Sequence, residues 1–240
     1  MDSMASVIER AFETKNLKAV ALVVNSPGGS PVQSSLIAGR IRALADENDV
    51  PVIAFAEDAA ASGGYWLACA ADEIFADAAS IIGSIGVISA GFGFTDLIKK
   101  IGVERRVYAA GTNKSTLDPF QKERADDVAR LRALQDDVQD GFIAMVKERR
   151  GDKLADDDEL FTGAFWTGNK ALELGLIDGI GEIRSTMRAR YGDKVKLRVV
   201  EQPKSWRRRL GIGLSYGSPD WAAGLMSALE ERHFWNRLGL

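Results

Sequence analysis

Two apolar runs, Lys18 to Val24 and Pro51 to Ala56, flank a stretch with helical periodicity, and each leads into a loop of small residues rich in glycine. In the stretch between them, Leu36, Ile37, Ile41 and Leu44 recur at helical spacing, and Pro31 suits a first turn. Strand, loop, helix, strand is a βαβ unit, so a right-handed crossover and a parallel pair are expected. Strands this apolar are covered on both faces. The loops Ser26 to Ser30 and Ala59 to Gly64 then fall at the carboxyl ends of neighbouring strands, the edge at which α/β proteins place their sites.

The same reading extends along the chain. Val7 to Phe12 is a short helix, Asp72 to Ala76 a short strand, and Ile81 to Ala90 an apolar run punctuated by glycine. Phe94 to Ile101 reads as a helix and Val103 to Ala109 as a strand. Gln121 to Arg150 is a long helix, with Val128, Leu131, Leu134, Val138, Phe142, Met145 and Val146 at spacings of three and four. Gly168 to Leu174 and Ile183 to Tyr191 are helices, and Val195 to Val200 a last strand. Asp156 to Asp158 is a solvated acidic run at a helix start. Residues 1–200 form one domain. Residues 201–240 form a tail with Arg207, Arg208, Arg209, Trp206, Trp221 and Trp235, suited to a membrane surface, a subunit contact or docking on its own domain.

Composition narrows the function. A net charge of −3 gives no electrostatic case for a nucleic-acid binder. One cysteine, Cys69, excludes an intrachain disulfide and a multi-cysteine zinc site. No run of 18 apolar residues reads as a membrane span, and the first residues lack a signal-peptide pattern. A cytoplasmic location, or one peripheral to the inner membrane, is therefore expected. The single histidine, His233, lies in the tail, far from the strand ends.

Ser62 follows the second strand and precedes an apolar helix from Tyr65 to Ala71, with small residues on both sides. Small neighbours let a carbonyl approach, glycines permit unusual backbone angles, and a helix N-terminus favours developing negative charge. A nucleophile fits this place, and so does a plain helix N-cap. With no histidine at hand, a serine nucleophile needs another base, and lysine is a known alternative. A solvated lysine titrates near ~10.4, and lowering that by ~3 units costs about 4 kcal/mol of lost solvation, which requires an apolar setting. Lys114 is the best placed, since it follows a strand end and Gly111 and is trailed by Leu117, Pro119 and Phe120. Pro27-Gly28-Gly29 could offer an N–H to an oxyanion, or be merely a turn. Ser84, between Gly83 and Ile85, could orient a neutral amine.

Taken in order, Asn25-Ser26-Pro27-Gly28-Gly29, Ala60-Ala61-Ser62-Gly63-Gly64-Tyr65, Gly83-Ser84-Ile85-Gly86-Val87 and Gly111-Thr112-Asn113-Lys114 with Pro119 resemble the signal peptide peptidase A family, the S49 serine peptidases. The resemblance runs from about Lys18 to Val200, and Asp178-Gly179-Ile180-Gly181 is similar to the end of that domain. It implies a ClpP/crotonase-like α/β fold of repeated β-β-α and βαβ units around a mostly parallel sheet. It also implies Ser62 as nucleophile, Lys114 as general base, Ser84 as the residue orienting the lysine, and Gly29 and Gly63 as the oxyanion hole.

The family further implies cleavage of apolar peptides such as signal-peptide remnants, through an acyl-enzyme and without metal, nucleotide or other cofactor. Homo-oligomers with sites shared between subunits are expected, with activity that rises with pH. Two features depart from the family. Its members usually carry an N-terminal anchor and an opening strand ahead of the equivalent of Val7, so either a truncated N-terminus or an anchorless form with an incomplete sheet edge is expected here. The tail matches none of the motifs. Two other readings use the same fold: a crotonase-like acyl-CoA enzyme, in which Ser62 and Lys114 would be dispensable, and an inactive scaffold that organises membrane proteins.

Overall fold

The computed structural model describes residues 2–201 and, near the C-terminus, residues 232, 235, 236, 238 and 239. Most of the tail, with Trp206, Arg207 to Arg209, Trp221 and His233, lies outside the described residues. The chain is α/β. Its strands are β1 (Val20–Ser26), β2 (Val52–Ala61), β3 (Glu73–Ala76), β4 (Ile81–Gly83), β5 (Phe165–Thr167) and β6 (Gly179–Ile180). Its helices are α1 (Asp2–Phe12), α2 (Pro31–Asn48), α3 (Gly63–Ala68), α4 (Thr95–Lys100), α5 (Ala125–Arg150), α6 (Gly168–Glu173) and α7 (Ile183–Tyr191).

β2 organises the sheet. It pairs in parallel with β1 from Val52 to Ala56 and again at Ala60. β3 pairs with Ile53 to Ala56, and β4 with Ala59 to Ala61. One edge of β2 therefore belongs to β1, and the other is shared in tandem by β3 and β4. β6 adds in parallel beyond β3, and β5 pairs antiparallel with β4. Among the described residues, β1 has no strand on its outer edge.

The alternation of β2 explains why Val52 to Ala56 are apolar without a break. Val52, Ala54 and Ala56 join the larger core, with residues of α1, α2, α3 and α5. Ile53 and Phe55 face the other way, against Met187 and Ile183 of α7. Each fully buried Val or Ile stabilises the fold by about 1.5–3 kcal/mol. Phe55 also stacks on Phe75, with ring centroids 5.7 Å apart. α3 is held to α5 by Trp66 on Phe142, at 4.6 Å.

Three expectations need correction. β2 does not end at Ala56 but continues through the exposed Glu57 and Asp58 to Ala61. The reason is that Ala59, Ala60 and Ala61 find a second ladder on β4. Val103 to Ala109 is not a strand; the whole segment is exposed and meets no ladder partner among the described residues. Val195 to Val200 likewise joins no strand among the described residues, although Val195 packs beside Met187. The acidic run from Asp156 behaves as expected: Asp157 caps a single 3-10 turn, Asp158–Phe161, by accepting the Glu159 N–H at 2.9 Å.

Candidate active site

Ser62 stands where β2 turns sharply into α3. Its backbone is at φ 51°, ψ −122°, a region that L-residues rarely occupy. Such a conformation costs on the order of 1–3 kcal/mol and persists only where its surroundings enforce it. Here the Ser62 N–H donates to Gly83 O at 2.8 Å, and Ser62 O accepts the Trp66 N–H at 3.0 Å. The side chain makes no capping hydrogen bond, so the hydroxyl does not serve as an N-cap.

The loop after β1 lies directly over this serine. A Cβ on Gly28 would sit 3.0 Å from Ser62 Cβ and 3.3 Å from its Oγ, and Gly28 has φ 135°. Only glycine suits both constraints. Asn25 fixes the root of the loop: its Nδ2 donates to Asp58 Oδ2 at 2.9 Å, and its Oδ1 accepts the Ala59 N–H at 3.2 Å. A Cβ on Gly63 would lie 3.2 Å from the Gly29 nitrogen and 2.6 Å from Ser34 Oγ. The amides of Gly29 and Gly63 are therefore neighbours beside Ser62. Among the described residues neither N–H has an acceptor. Two free amides beside a hydroxyl can receive the charge of a developing oxyanion.

Ser62, Ser84 and Gly29 line one pocket of about 350 Å³. Val87, Ile88 and Phe165 give it an apolar wall, and Leu238 of the tail reaches it as well. Ser84 has φ 53°, and its N–H donates to Ala164 O at 2.7 Å. A larger cavity of about 530 Å³, between Ile98, Val103 and Phe120, contains no nucleophile.

Lys114 is elsewhere. It sits on an exposed turn, its N–H donating to Gly111 O at 3.2 Å, and it does not line the Ser62 pocket. The chain thus brings Ser62, Ser84, Gly29 and Gly63 together and leaves Lys114 apart.

A buried polar group supports the site from below. Tyr65 OH donates to Leu176 O at 2.7 Å, and burial raises its pKa well above the ordinary tyrosine value. Burial pushes the Cys69 thiol up to about 12, which makes it inert. Arg150 donates from Nε to Gly175 O at 2.9 Å and from Nη1 to Asp178 at 2.7 Å, while its Nη2 is buried without a partner. Sequence reasoning missed the Asn25–Asp58 clamp, although Asn25 opens one of the motifs it used. It also missed the wall formed by Thr162, Gly163 and Phe165, which carries no local signal.

Comparison with known proteins decides the family. Residues 45–196 match the model of peptidase family S49. The chain belongs to that family. Among S49-like relatives, "Protease 4" of Haemophilus influenzae is 34% identical over 191 residues, covering 78% of this chain and 30% of that protein. "Serine protease SPPA, chloroplastic" of Arabidopsis thaliana is 32% identical over 186 residues, covering 75% of this chain and 26% of that one. A Brucella abortus protein named "Na(+)/H(+) antiporter NhaA" is 55% identical over 99% of this chain. The chain spans only 34% of that relative, about a third of its length. No described helix is long and apolar enough to cross a membrane.

Proposed function

We propose that this S49 chain is a serine peptidase that cleaves apolar peptides through a Ser62–Lys114 dyad completed between subunits. The observation that carries the reading is the Ser62 hydroxyl: uncapped, on an enforced turn, and beside two amides without acceptors. The apolar wall of Val87, Ile88 and Phe165 suits apolar side chains of a bound peptide.

In this mechanism Ser62 Oγ attacks the peptide carbonyl carbon and its proton passes to a neutral Lys114 Nζ. The amides of Gly29 and Gly63 hold the oxyanion, and Ser84 hydrogen-bonds the lysine. Collapse expels the amine, which takes the proton from the ammonium. Water, deprotonated by the same lysine, then hydrolyses the acyl-enzyme and frees Ser62.

The lysine comes from a second copy. Lys114 lies in a segment that exposes Ile88, Phe92, Leu97, Ile101, Val103 and Tyr108, with Phe92 81% and Tyr108 92% accessible. Apolar exposure on this scale marks a surface that another chain covers. The experiment is subunit mixing. Ser62→Ala and Lys114→Ala should each lose about 10⁴-fold or more in peptide cleavage. Their mixture should regain a substantial part of the activity, because mixed assemblies contain intact pairs. Cleavage by either variant alone at the parental rate would refute the dyad, and a silent mixture would refute sharing.

A further inference from the structure

Gln139 of α5 reaches across to both walls of the Ser62 pocket. Its Nε2 donates to Ile85 O at 3.2 Å and to Phe161 O at 3.0 Å. Ile85 is fully buried between Ser84 and Gly86, and both of these line the pocket. Phe161 immediately precedes Thr162 and Gly163, which form the facing wall. The walls meet tightly, since a Cβ on Gly86 would lie 2.9 Å from Gly163 Cα.

The other end of the same amide is informative. Gln139 Oε1 is buried and has no hydrogen-bond partner. Leucine or methionine would remove the unsatisfied Oε1 but would strip the Ile85 and Phe161 carbonyls of the donor they share. What glutamine supplies is a pair of donated hydrogen bonds. Ser84 stands next to one of them, at φ 53°, and needs outside support to hold that conformation.

We propose that Gln139 is a positioning residue of the site, clamping the Ser84 loop to the Thr162–Gly163 wall and so fixing where the Ser84 hydroxyl points. The inference rests on the reading of Ser62 and Ser84 as catalytic machinery. It predicts that Gln139 acts through Ser84, which a general structural role would not.

The experiment is a double-mutant cycle on the intact oligomer, with kcat and KM for peptide cleavage and thermal melting for each variant. Gln139→Leu should lower kcat about tenfold with KM within about twofold of the parent, and should add less than about twofold to Ser84→Ala. Gln139→Glu keeps the shape but turns an acceptor toward two carbonyls, so it should lose at least as much, and it replaces leucine in the cycle if that variant does not fold. An unchanged kcat in Gln139→Leu, or effects that multiply with Ser84→Ala, overturns the proposal. So does failure of both Gln139 variants to fold, which assigns the residue to the core. Loss of the underlying reading is distinguishable, because then Ser62→Ala itself leaves cleavage untouched.

Discussion

Gly28 and Ser62 are in contact across the strand ends: a Cβ on the glycine would begin 3.0 Å from the serine Cβ. Gly28→Ala therefore strains the loop at φ 135° and pushes it off Ser62. The amide of Gly29 moves with it. Cleavage should fall by about tenfold or more, since small displacements of reacting groups are expensive in rate. Circular dichroism should report an unchanged fold. An alanine variant with the parental kcat would contradict the close approach.

The enforced turn at Ser62 makes a prediction about stability. Ser62→Ala removes the hydroxyl but keeps a β-carbon at φ 51°. Ser62→Gly removes both. Relief of about 1–3 kcal/mol of strain outweighs the glycine's extra unfolded-state entropy of about 0.4–1 kcal/mol. The glycine variant should be the more stable of the two by about 1 kcal/mol or more in denaturant melts. Equal midpoints would mean that the turn is unstrained.

Asp178 controls an acid limit. Burial alone would raise its pKa, but hydrogen bonds from Arg150, Lys153 and the Ile74 N–H outweigh burial and hold the carboxyl below its ordinary value. A carboxyl lowered on folding stabilises the native state above its unfolded pKa of about 4, and that stability is lost as pH falls through the folded value. Stability should therefore drop at pH below about 4, and Asp178→Asn should flatten that drop. At neutral pH the same variant should lose about 3–5 kcal/mol, because Arg150, only 2% exposed, is left without its counter-charge. Urea melts from pH 2 to 8 test both effects.

Cys69 should be silent to thiol reagents. It is fully buried and its pKa is pushed up to about 12, so at pH 8 thiolate is scarce and shielded. A disulfide-exchange reagent should find no reactive thiol in the native protein and one per chain in guanidinium. Rapid native reaction would place the residue nearer the surface.

Long, periodic elements were legible in the sequence. The βαβ unit, the long helix α5 and the helix α7 follow from spacing alone, because each buries a face of its own. The end of β2 was not legible. Glu57 and Asp58 read as a loop, yet they are carried through as exposed strand residues because β4 waits beyond them. β5 and β6, of three and two residues, are too short to leave a pattern. Val103 to Ala109 has strand composition but no neighbour to pair with, and composition cannot supply a ladder. At the site, Ser62, Ser84, Gly29 and Gly63 were nominated from local motifs and do converge. The separation of Lys114 from that pocket within one chain was not readable, because a motif fixes residue order and not where its loop lies in space.

The tandem occupancy of one edge of β2 has a consequence for how selectivity can change. On the proposed mechanism the reacting alcohol, Ser62, directly follows the most shielded strand among the described residues, gripped along one side by β1 and along the other by β3 and β4 in turn. The surfaces that would touch a peptide belong instead to loops and to a three-residue strand at the rim. Chemistry and taste are thus housed in separate parts. A screen for altered cleavage preference should recover its variants at Val87, Ile88, Thr162 and Phe165, and almost none along the interior strand that precedes Ser62.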